Sequence, residues 1–161
     1  MLKSLFLLVI LVTSAAVPAI AQHNKLGYIY AGGGATTDCA RCGTEFHIGA
    51  GLERVMRFGL GVGAEAGYLR VERQGSGLIS VNTSYHFIRD ASLSPFLSGG
   101  PSLLFSEPVL SFEGGKYQGG ANFGGGVDYW MRERVGLRVE SRNYYFNKRY
   151  TYGASIGLTF R

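Results

Sequence analysis

Apolar and polar residues alternate along the chain from about residue 25 to the last strand-forming positions before Arg161. Because successive side chains of a β-strand point to opposite faces, this period of two predicts strands. After Gln22, no segment of ten or more residues has apolar positions at the i, i+3, i+4, i+7 spacing of an amphipathic helix. The predicted strands are eight, at about 25–35, 44–53, 57–70, 78–87, 94–105, 119–131, 135–145 and 149–160. The predicted fold class is therefore all-β, an eight-stranded antiparallel up-and-down barrel.

The connections between these strands are of two kinds. Short turns follow strands 2, 4 and 6, at 54–56, 88–93 and 132–134. Longer polar or glycine-rich segments follow strands 1, 3 and 5, at 36–43, 71–77 and 106–118. The connection after strand 7, near 146–148, is shorter than this alternation predicts. Short turns at one end and long loops at the other are typical of barrels that span the outer membrane of bacteria.

One face of each predicted strand is apolar, and the direction of that face decides the solvent. A soluble barrel buries its apolar face, whereas a membrane barrel turns it towards lipid, and alternation alone does not choose between them. The opposite face consists mainly of Gly, Ser and Thr with a few charges, where a water-facing surface would carry Lys and Glu at most positions. This favours lipid, so we expect Val62, Ile156 and Phe160 outside and Glu65 and Arg138 inside.

The glycines of the polar face predict a filled lumen. An eight-stranded barrel is just wide enough to be filled by side chains, so positions with long inward side chains must alternate with glycines, which have no side chain. The pattern Gly-x-Gly-x-acid ends at Glu53, Glu65 and Asp128. Similar Gly-x-Gly pairs bind phosphate only where a helix follows, and no helix is predicted after any of the three.

Charged residues on the polar face predict a lumen charge network. An unpaired buried charge costs several kcal/mol, so we expect opposite-sign pairs or bridging water. The predicted members are Glu53, Glu65, Asp128, Arg138, Glu140 and Arg142. The network is either a permanent polar core or the gate of a small pore. A wide pore is excluded because open aqueous channels need roughly 16 strands.

The first 21 residues have the features of a secretory signal peptide. Lys3 supplies the positive charge, 5–12 is an unbroken apolar run, and Ala19-Ile20-Ala21 predicts cleavage before Gln22. The mature barrel domain is then 22–161; the alternative is that 1–21 remains as a membrane anchor. Cleavage removes one basic residue and lowers the net charge from +5 to +4.

Composition and charge exclude further classes. The chain has 25 Gly, 10 Tyr, 10 Phe and 17% charged residues, which fits neither a disordered tail nor, with two Cys, a disulfide-rich miniprotein. The basic residues are scattered and the chain is exported, so we expect no nucleic-acid partner. Anionic lipid headgroups are the expected partners of the positive charge.

The chain resembles the small bacterial outer-membrane β-barrel proteins of the OmpA-barrel and OmpX type. The resemblance rests on the signal peptide, the eight alternating segments, the Gly-x-Gly-x-acid strands and the closing segment 152–160, and it covers the whole mature chain. It implies location in the bacterial outer membrane, contact with its lipids and lipopolysaccharide, and insertion by the barrel-insertion machinery. That machinery reads an aromatic residue at or near the end of the last strand, and here Arg161 follows Phe160. No cofactor is implied, and the architecture specifies location better than activity.

Cys39 and Cys42 form a C-x-x-C pair in the first long loop. In the oxidising environment outside the cytoplasm we expect a disulfide that stiffens the loop. The alternatives are free thiols with a redox role, which lack the βαβ context of thioredoxin-like motifs, or a zinc site, for which only His47 lies close in sequence.

Ser84 and His86 share one face of the fourth predicted strand, and together they resemble in composition the Ser and His of barrel lipid A deacylases. Their order and context do not match that family's motif, and no acid can be assigned to them from the sequence. A nucleophile needs a base and an orienting third group. We therefore expect a non-enzymatic barrel with a structural or surface-interaction role. The rival hypotheses are a lipid-modifying outer-membrane enzyme and a soluble, exported lipocalin-like binding barrel.

Basic residues near the predicted long loops indicate a glycolipid contact. Guanidinium groups suit the phosphates of lipopolysaccharide because they bind them bidentately. The candidate residues are Arg70, Arg73, Lys116, Lys148 and Arg149, with Arg41 near them. The alternative is a rim that is only solvated.

Overall fold

The computed structural model describes residues 25–36, 44–71, 74–88, 91–106 and 117–161. These residues form a closed barrel in which eight strands follow one another in chain order, each antiparallel to its neighbours. The strands are β1 (Lys25–Thr36), β2 (Thr44–Val55), β3 (Leu60–Val71), β4 (Gln74–His86), β5 (Leu93–Ser106), β6 (Tyr117–Trp130), β7 (Val135–Phe146) and β8 (Arg149–Phe160). Among the described residues there is no helix of the length and hydrophobicity needed to cross a membrane.

The predicted eight-stranded barrel is confirmed, and most strand ends fall within three residues of the prediction. The connection after β3 was predicted too long. Val71 pairs with Gln74 and Tyr68 pairs with Gly77, so the glycine-rich segment belongs to β4 and not to a loop. The physical reason is space: a Cβ at Gly75 would collide with the Tyr68 ring and one at Gly77 with the Phe105 ring. These glycines make room for neighbouring aromatic rings.

The barrel has two different ends. The turn end, as we call it, holds the connections 56–59, 87–92 and 131–134, together with Lys25 and Phe160. At the loop end β1, β3 and β5 end and the β7–β8 hairpin turns at 147–148. Asn147 and Lys148 have φ values of 46° and 64°, the left-handed pair of a two-residue type I′ hairpin. At the turn end Gly59 has φ 88°, and a side chain there would also meet the His86 carbonyl.

The apolar faces point outwards. Val62 and Ile156 are 46% and 57% exposed, whereas Glu65 and Arg138 are each 2% exposed. Phe160 is intermediate. A soluble carrier would have the reverse arrangement, so the predicted orientation towards lipid is correct and the chain is a transmembrane β-barrel. Exposed aromatic side chains lie near both ends of the wall, as at a membrane interface: Phe46, Tyr117 and Tyr152 at the loop end, and Phe58, Tyr85 and Tyr129 at the turn end.

Several aromatic residues point into the lumen instead, and five of them lie beside a glycine of an adjacent strand. Tyr28 and Tyr30 pair with Gly51 and Gly49. In the same way Phe96 pairs with Gly126, Phe146 with Gly120 and Trp130 with Gly136. Because glycine has no side chain, the ring of its partner occupies the space above it. These five glycines therefore leave the space that the five rings occupy, which is how a narrow barrel accommodates them.

Two apolar clusters lie in the lumen, one towards each end of the barrel. Leu26, Val55 and Trp130 form the cluster at the turn end. Leu78, Tyr144 and Phe146, with Leu104 against them, form the cluster at the loop end.

The strands of the barrel are staggered. If the register partners are followed from strand to strand around the barrel, starting at Leu26 of β1, the path returns to β1 at Thr36, ten residues further along. Strands in a barrel are tilted and staggered in this way, so side chains that meet across the lumen are not register partners.

Candidate functional site

Glu65 of β3 is the centre of the polar lumen. The hydroxyl of Tyr30 donates a hydrogen bond to its Oε1 at 2.6 Å, and the hydroxyl of Tyr28 donates to its Oε2 at 3.0 Å. The guanidinium of Arg142 forms an ion pair with Oε2 from the opposite wall. Three donors from β1 and β7 thus satisfy one buried carboxylate, as burial of a charge requires.

From Arg142 a chain of charges continues towards the turn end. Arg142 Nε donates to Glu140 Oε1 at 2.7 Å, and Arg138 Nε donates to Glu140 Oε2 at 3.1 Å. Arg138 Nη1 then lies 3.6 Å from Asp128 Oδ2. Acid and base alternate along this chain, so each guanidinium lies between two carboxylates. Alternation of sign offsets part of the cost of removing these groups from water.

The guanidinium of Arg138 lies between two aromatic rings. Its Cζ is 4.3 Å from the centroid of Tyr28 and 3.9 Å from that of Phe96. Cations are attracted to ring faces within about 6 Å, more strongly where water is excluded. Together with Glu140 and Asp128 the two rings hold Arg138 in a single position in the lumen.

Glu53 belongs to a separate cluster near the turn end. Its Oε1 accepts a hydrogen bond from the Ser84 hydroxyl and lies 2.9 Å from His86 Nε2. The His86 ring stacks on Phe96 with centroids 5.5 Å apart. The six predicted network residues are all inward and buried, but ion pairs join only five of them, and Glu53 is held by Ser84 and His86.

A second histidine lies towards the loop end. His47 Nδ1 is 2.9 Å from Glu45 Oε1, and its ring lies against Tyr30 and Tyr144 with centroids 5.8 and 6.4 Å apart. His47 Nε2, Glu45 Oε2 and the Tyr144 hydroxyl are buried without a hydrogen-bond partner in the structure. The described lumen thus holds five carboxylates (Glu45, Glu53, Glu65, Asp128 and Glu140) against two guanidiniums, with His47 and His86 beside the acids.

A cluster of amide and hydroxyl side chains lies where the backbone pairing of β4 and β5 is interrupted. Their register has no pair between Ser80–Ser102 and Thr83–Gly99, next to Pro101, which lacks a backbone N–H. Asn122 Nδ2 donates to the Gly100 carbonyl at 3.2 Å, to Asn82 Oδ1 at 2.7 Å and to Ser102 Oγ at 2.8 Å. A side chain from β6 thus supplies a hydrogen bond to the backbone of the interrupted ladder.

One small cavity lies in this part of the lumen. This cavity of about 10 Å³ is lined by polar side chains that include Glu53, Ser84 and Arg138. That is room for about one water molecule. Among the described residues no three His, Cys, Asp or Glu side chains are grouped so that they could hold a metal ion.

The sequence did not indicate several lumen residues. Tyr28, Tyr30 and Phe96 were not singled out by the sequence, since an aromatic side chain suits both the lipid-facing surface and a filled lumen. Their register beside glycines was the available signal, because an aromatic residue and a glycine paired across strands share one space. His47 and Glu45 lie on the polar face of β2, yet nothing in the sequence pairs them with each other rather than with a lipid or a metal.

The predicted rim residues are only partly described. Arg70 ends the outer face of β3 at the loop end, and Lys148 and Arg149 lie in and beside the β7–β8 hairpin, all three exposed. Arg41, Arg73, Lys116 and the pair Cys39 and Cys42 lie outside the described residues, as does the segment 1–21.

Comparison with solved structures finds several small barrels, and the alignment covers nearly the whole length of each of them. The N-terminal β-barrel domain of OprF from Pseudomonas aeruginosa is 18% identical, with 85% of this chain and 98% of that chain covered and a TM-score of 0.63. Neisserial surface protein A is 14% identical, with 86% and 97% covered and a TM-score of 0.68. The chain has the fold of the small outer-membrane β-barrels. No family model matches it, and none of the curated proteins matches its sequence.

This outer-membrane barrel fold also occurs in an enzyme. The outer membrane enzyme PagL is 17% identical, with 81% of this chain and 97% of that chain covered and a TM-score of 0.57. The identities are all low, so these likenesses establish the architecture. An architecture that carries both enzymes and other proteins does not decide whether this chain is catalytic, which depends on its own residues.

Proposed function

We propose that the protein is a non-enzymatic barrel of the bacterial outer membrane with a structural or surface-interaction role. The observation that carries the proposal is the filled lumen. Between the two apolar clusters, the charges of Glu65, Arg142, Glu140, Arg138 and Asp128 are joined across the interior. A lumen packed in this way supports the wall and conducts no solute, so contact with other molecules is left to the outer surfaces.

Ser84, His86 and Glu53 are the one group in the described lumen with the residue types of a hydrolase triad. Their connections differ from those of such a triad, because Ser84 and His86 both bind Glu53 and not each other. A nucleophilic serine needs the histidine as its base. All three are also buried inside the barrel, behind the wall that lipid contacts. This arrangement supports a structural role for them.

Lipopolysaccharide is the proposed partner at the loop end. Lys148 and Arg149 lie beside a group of outward tyrosines, in which Tyr145 and Tyr150 have centroids 4.7 Å apart and Tyr150 stacks on Tyr152 at 6.3 Å. Tyrosine rings settle at the level of lipid headgroups, which brings the neighbouring cations to the depth of glycolipid phosphates. Arg70 is at the same end on β3, and Arg73 and Lys116 are proposed to join it.

The glycolipid contact is tested by reversing charge at the loop end. Arg70→Glu combined with Arg73→Glu should weaken the binding of phosphorylated lipid A to the detergent-solubilised protein by at least about fivefold, on the order of one favourable charge contact. The matched control is Arg70→Lys with Arg73→Lys, which keeps the charge. The heat-modifiable gel shift shows that each variant is folded. Unchanged affinity in the Glu variant would refute the contact.

Export and maturation complete the proposal. Residues 1–21 are proposed to be removed before Gln22, and Cys39 and Cys42 to form a disulfide in the first loop. The outward residues Tyr152, Ile156 and Leu158 and the terminal Phe160 give the last strand the alternation expected of an insertion signal. Mass spectrometry of the protein purified from outer membranes, with and without reductant, measures both the cleavage point and the thiol state.

A further inference from the structure

The turn end carries basic side chains that neither the lumen network nor the glycolipid contact uses. Lys25, Arg54, Arg57, Arg132 and Arg134 are exposed, and Arg161 is partly exposed. Glu133 is the one exposed acidic side chain among the described residues of this end. We call these six basic residues the cationic arc.

The cationic arc is continuous around part of the barrel. Lys25 and Arg54 are direct register partners on β1 and β2, and Arg57 lies in the turn that follows. Arg161 donates its backbone N–H to the Arg134 carbonyl at 3.1 Å, which joins the end of β8 to the β6–β7 turn. Since β8 pairs with β1, the two groups are neighbours. Like charges directly opposite each other in a sheet are unfavourable unless an anion lies between them.

Exposed apolar side chains lie between the charges in the same turns. Met56 and Phe58 flank Arg57 and are 40% and 68% exposed, and Met131, 52% exposed, precedes Arg132. A turn at the boundary of a membrane places such residues in the acyl region, where their exposure to lipid is favourable. Arginine beside them then extends its guanidinium to the headgroups.

We propose that the cationic arc binds the phosphates of anionic phospholipids in the leaflet that surrounds the turn end. Guanidinium groups bind phosphate oxygens bidentately, and five of the six residues are arginines. The Arg161 guanidinium already lies over Trp130 at 4.3 Å and donates to the Glu133 carbonyl at 2.7 Å. Arg54, Arg57, Arg132 and Arg134 form no ion pair with a described residue and therefore supply the phosphate contacts. Each end of the barrel thereby holds a different lipid, phospholipid here and glycolipid at the loop end.

The test is lipid selectivity in a reconstituted bilayer. Spin-labelled phosphatidylglycerol and phosphatidylcholine are compared at the surface of the folded protein in phosphatidylcholine membranes. The native chain should prefer phosphatidylglycerol by a factor on the order of five. The fourfold variant Arg54→Gln, Arg57→Gln, Arg132→Gln, Arg134→Gln should lose this preference. The matched control, with Lys at the same four positions, keeps the charge and should retain most of it.

Salt dependence and binding to cell-wall fragments are two further measurements that test the cationic arc. In about 1 M salt the Debye length falls to roughly 3 Å, so the preference of the native chain should drop towards one without any substitution. A preference that survives both salt and the Gln variant overturns the proposal. So does a Gln variant with unchanged lipid preference but lost binding to purified cell-wall fragments, which would assign the arc to the cell wall. Because the glycolipid test uses the other end, either proposal can fail while the other stands.

Discussion

Tyr30 and Glu65 meet in the middle of the barrel, where the tyrosine hydroxyl donates to the carboxylate at 2.6 Å. They are 35 residues apart in the chain and lie on β1 and β3, which do not pair with each other. Tyr28 and Arg142 bind the same carboxylate. Glu65 is therefore the point at which β1, β3 and β7 are tied together through the lumen.

Replacing Glu65 should strongly destabilise the barrel. Glu65→Ala leaves Arg142 with an unpaired charge on that side and removes the acceptor of two buried hydroxyls, so we expect a loss of roughly 3 to 5 kcal/mol in the free energy of unfolding. Urea titration of the protein folded in lipid vesicles measures it. Glu133→Ala, which removes an exposed acid of the same type, is the control and should change little. A loss below about 1 kcal/mol for Glu65→Ala would contradict the role given to the network.

Alanine should have different effects on stability at two glycines of the wall, Gly51 and Gly119. A Cβ at Gly51 would lie 2.8 Å from Cε2 of Tyr28, whose hydroxyl is held by Glu65 and whose ring lies beneath Arg138. Gly51→Ala should therefore cost about 1 to 3 kcal/mol through overpacking. At Gly119 no atom lies within 4 Å of an added Cβ. Gly119→Ala, measured in the same unfolding experiment, should stay within about 0.5 kcal/mol, and equal effects at both sites would show that the ring can shift.

The β7–β8 hairpin should become more stable with glycine at its second position. Lys148 has φ 64°, a conformation that costs an L-residue roughly 1 kcal/mol. Lys148→Gly should raise the free energy of unfolding by about that amount. Lys148→Ala removes the same charge and keeps the Cβ, so it should give no such gain. If both variants gain equally, charge and not backbone strain is the cause.

The closed lumen predicts the absence of ion conduction. In a planar bilayer the native protein should show no stable conductance, because ion pairs cross the lumen between two apolar clusters and the described cavity holds about one water. A porin of roughly 16 strands serves as the positive control. Reproducible current steps from the folded native chain would mean that the ion pairs of Arg138 and Arg142 rearrange, and the small-pore hypothesis would replace the permanent core.

The sequence indicated some lumen residues and not others for identifiable reasons. Glu53, Glu65 and Asp128 follow glycines at alternate positions, and that pattern is local to each strand. A tyrosine has both a polar hydroxyl and an apolar ring, so the residue type alone did not decide whether Tyr28 and Tyr30 face lipid or the lumen. The segment around Gly75 and Gly77 was misread as a loop because glycine is common in turns, while here it lies under the rings of Tyr68 and Phe105.

The sequence alone determined the number of strands, their antiparallel order and which side chains share a face, because alternation within one strand states that directly. The Gly, Ser and Thr of the opposite face then indicated which face meets lipid. Only the tertiary structure decided that Arg142 reaches Glu65, that Glu53 binds His86 and that Arg138 lies between Tyr28 and Phe96. Those contacts depend on the tilt and stagger with which the sheet closes on itself, and closure is a property of all eight strands together.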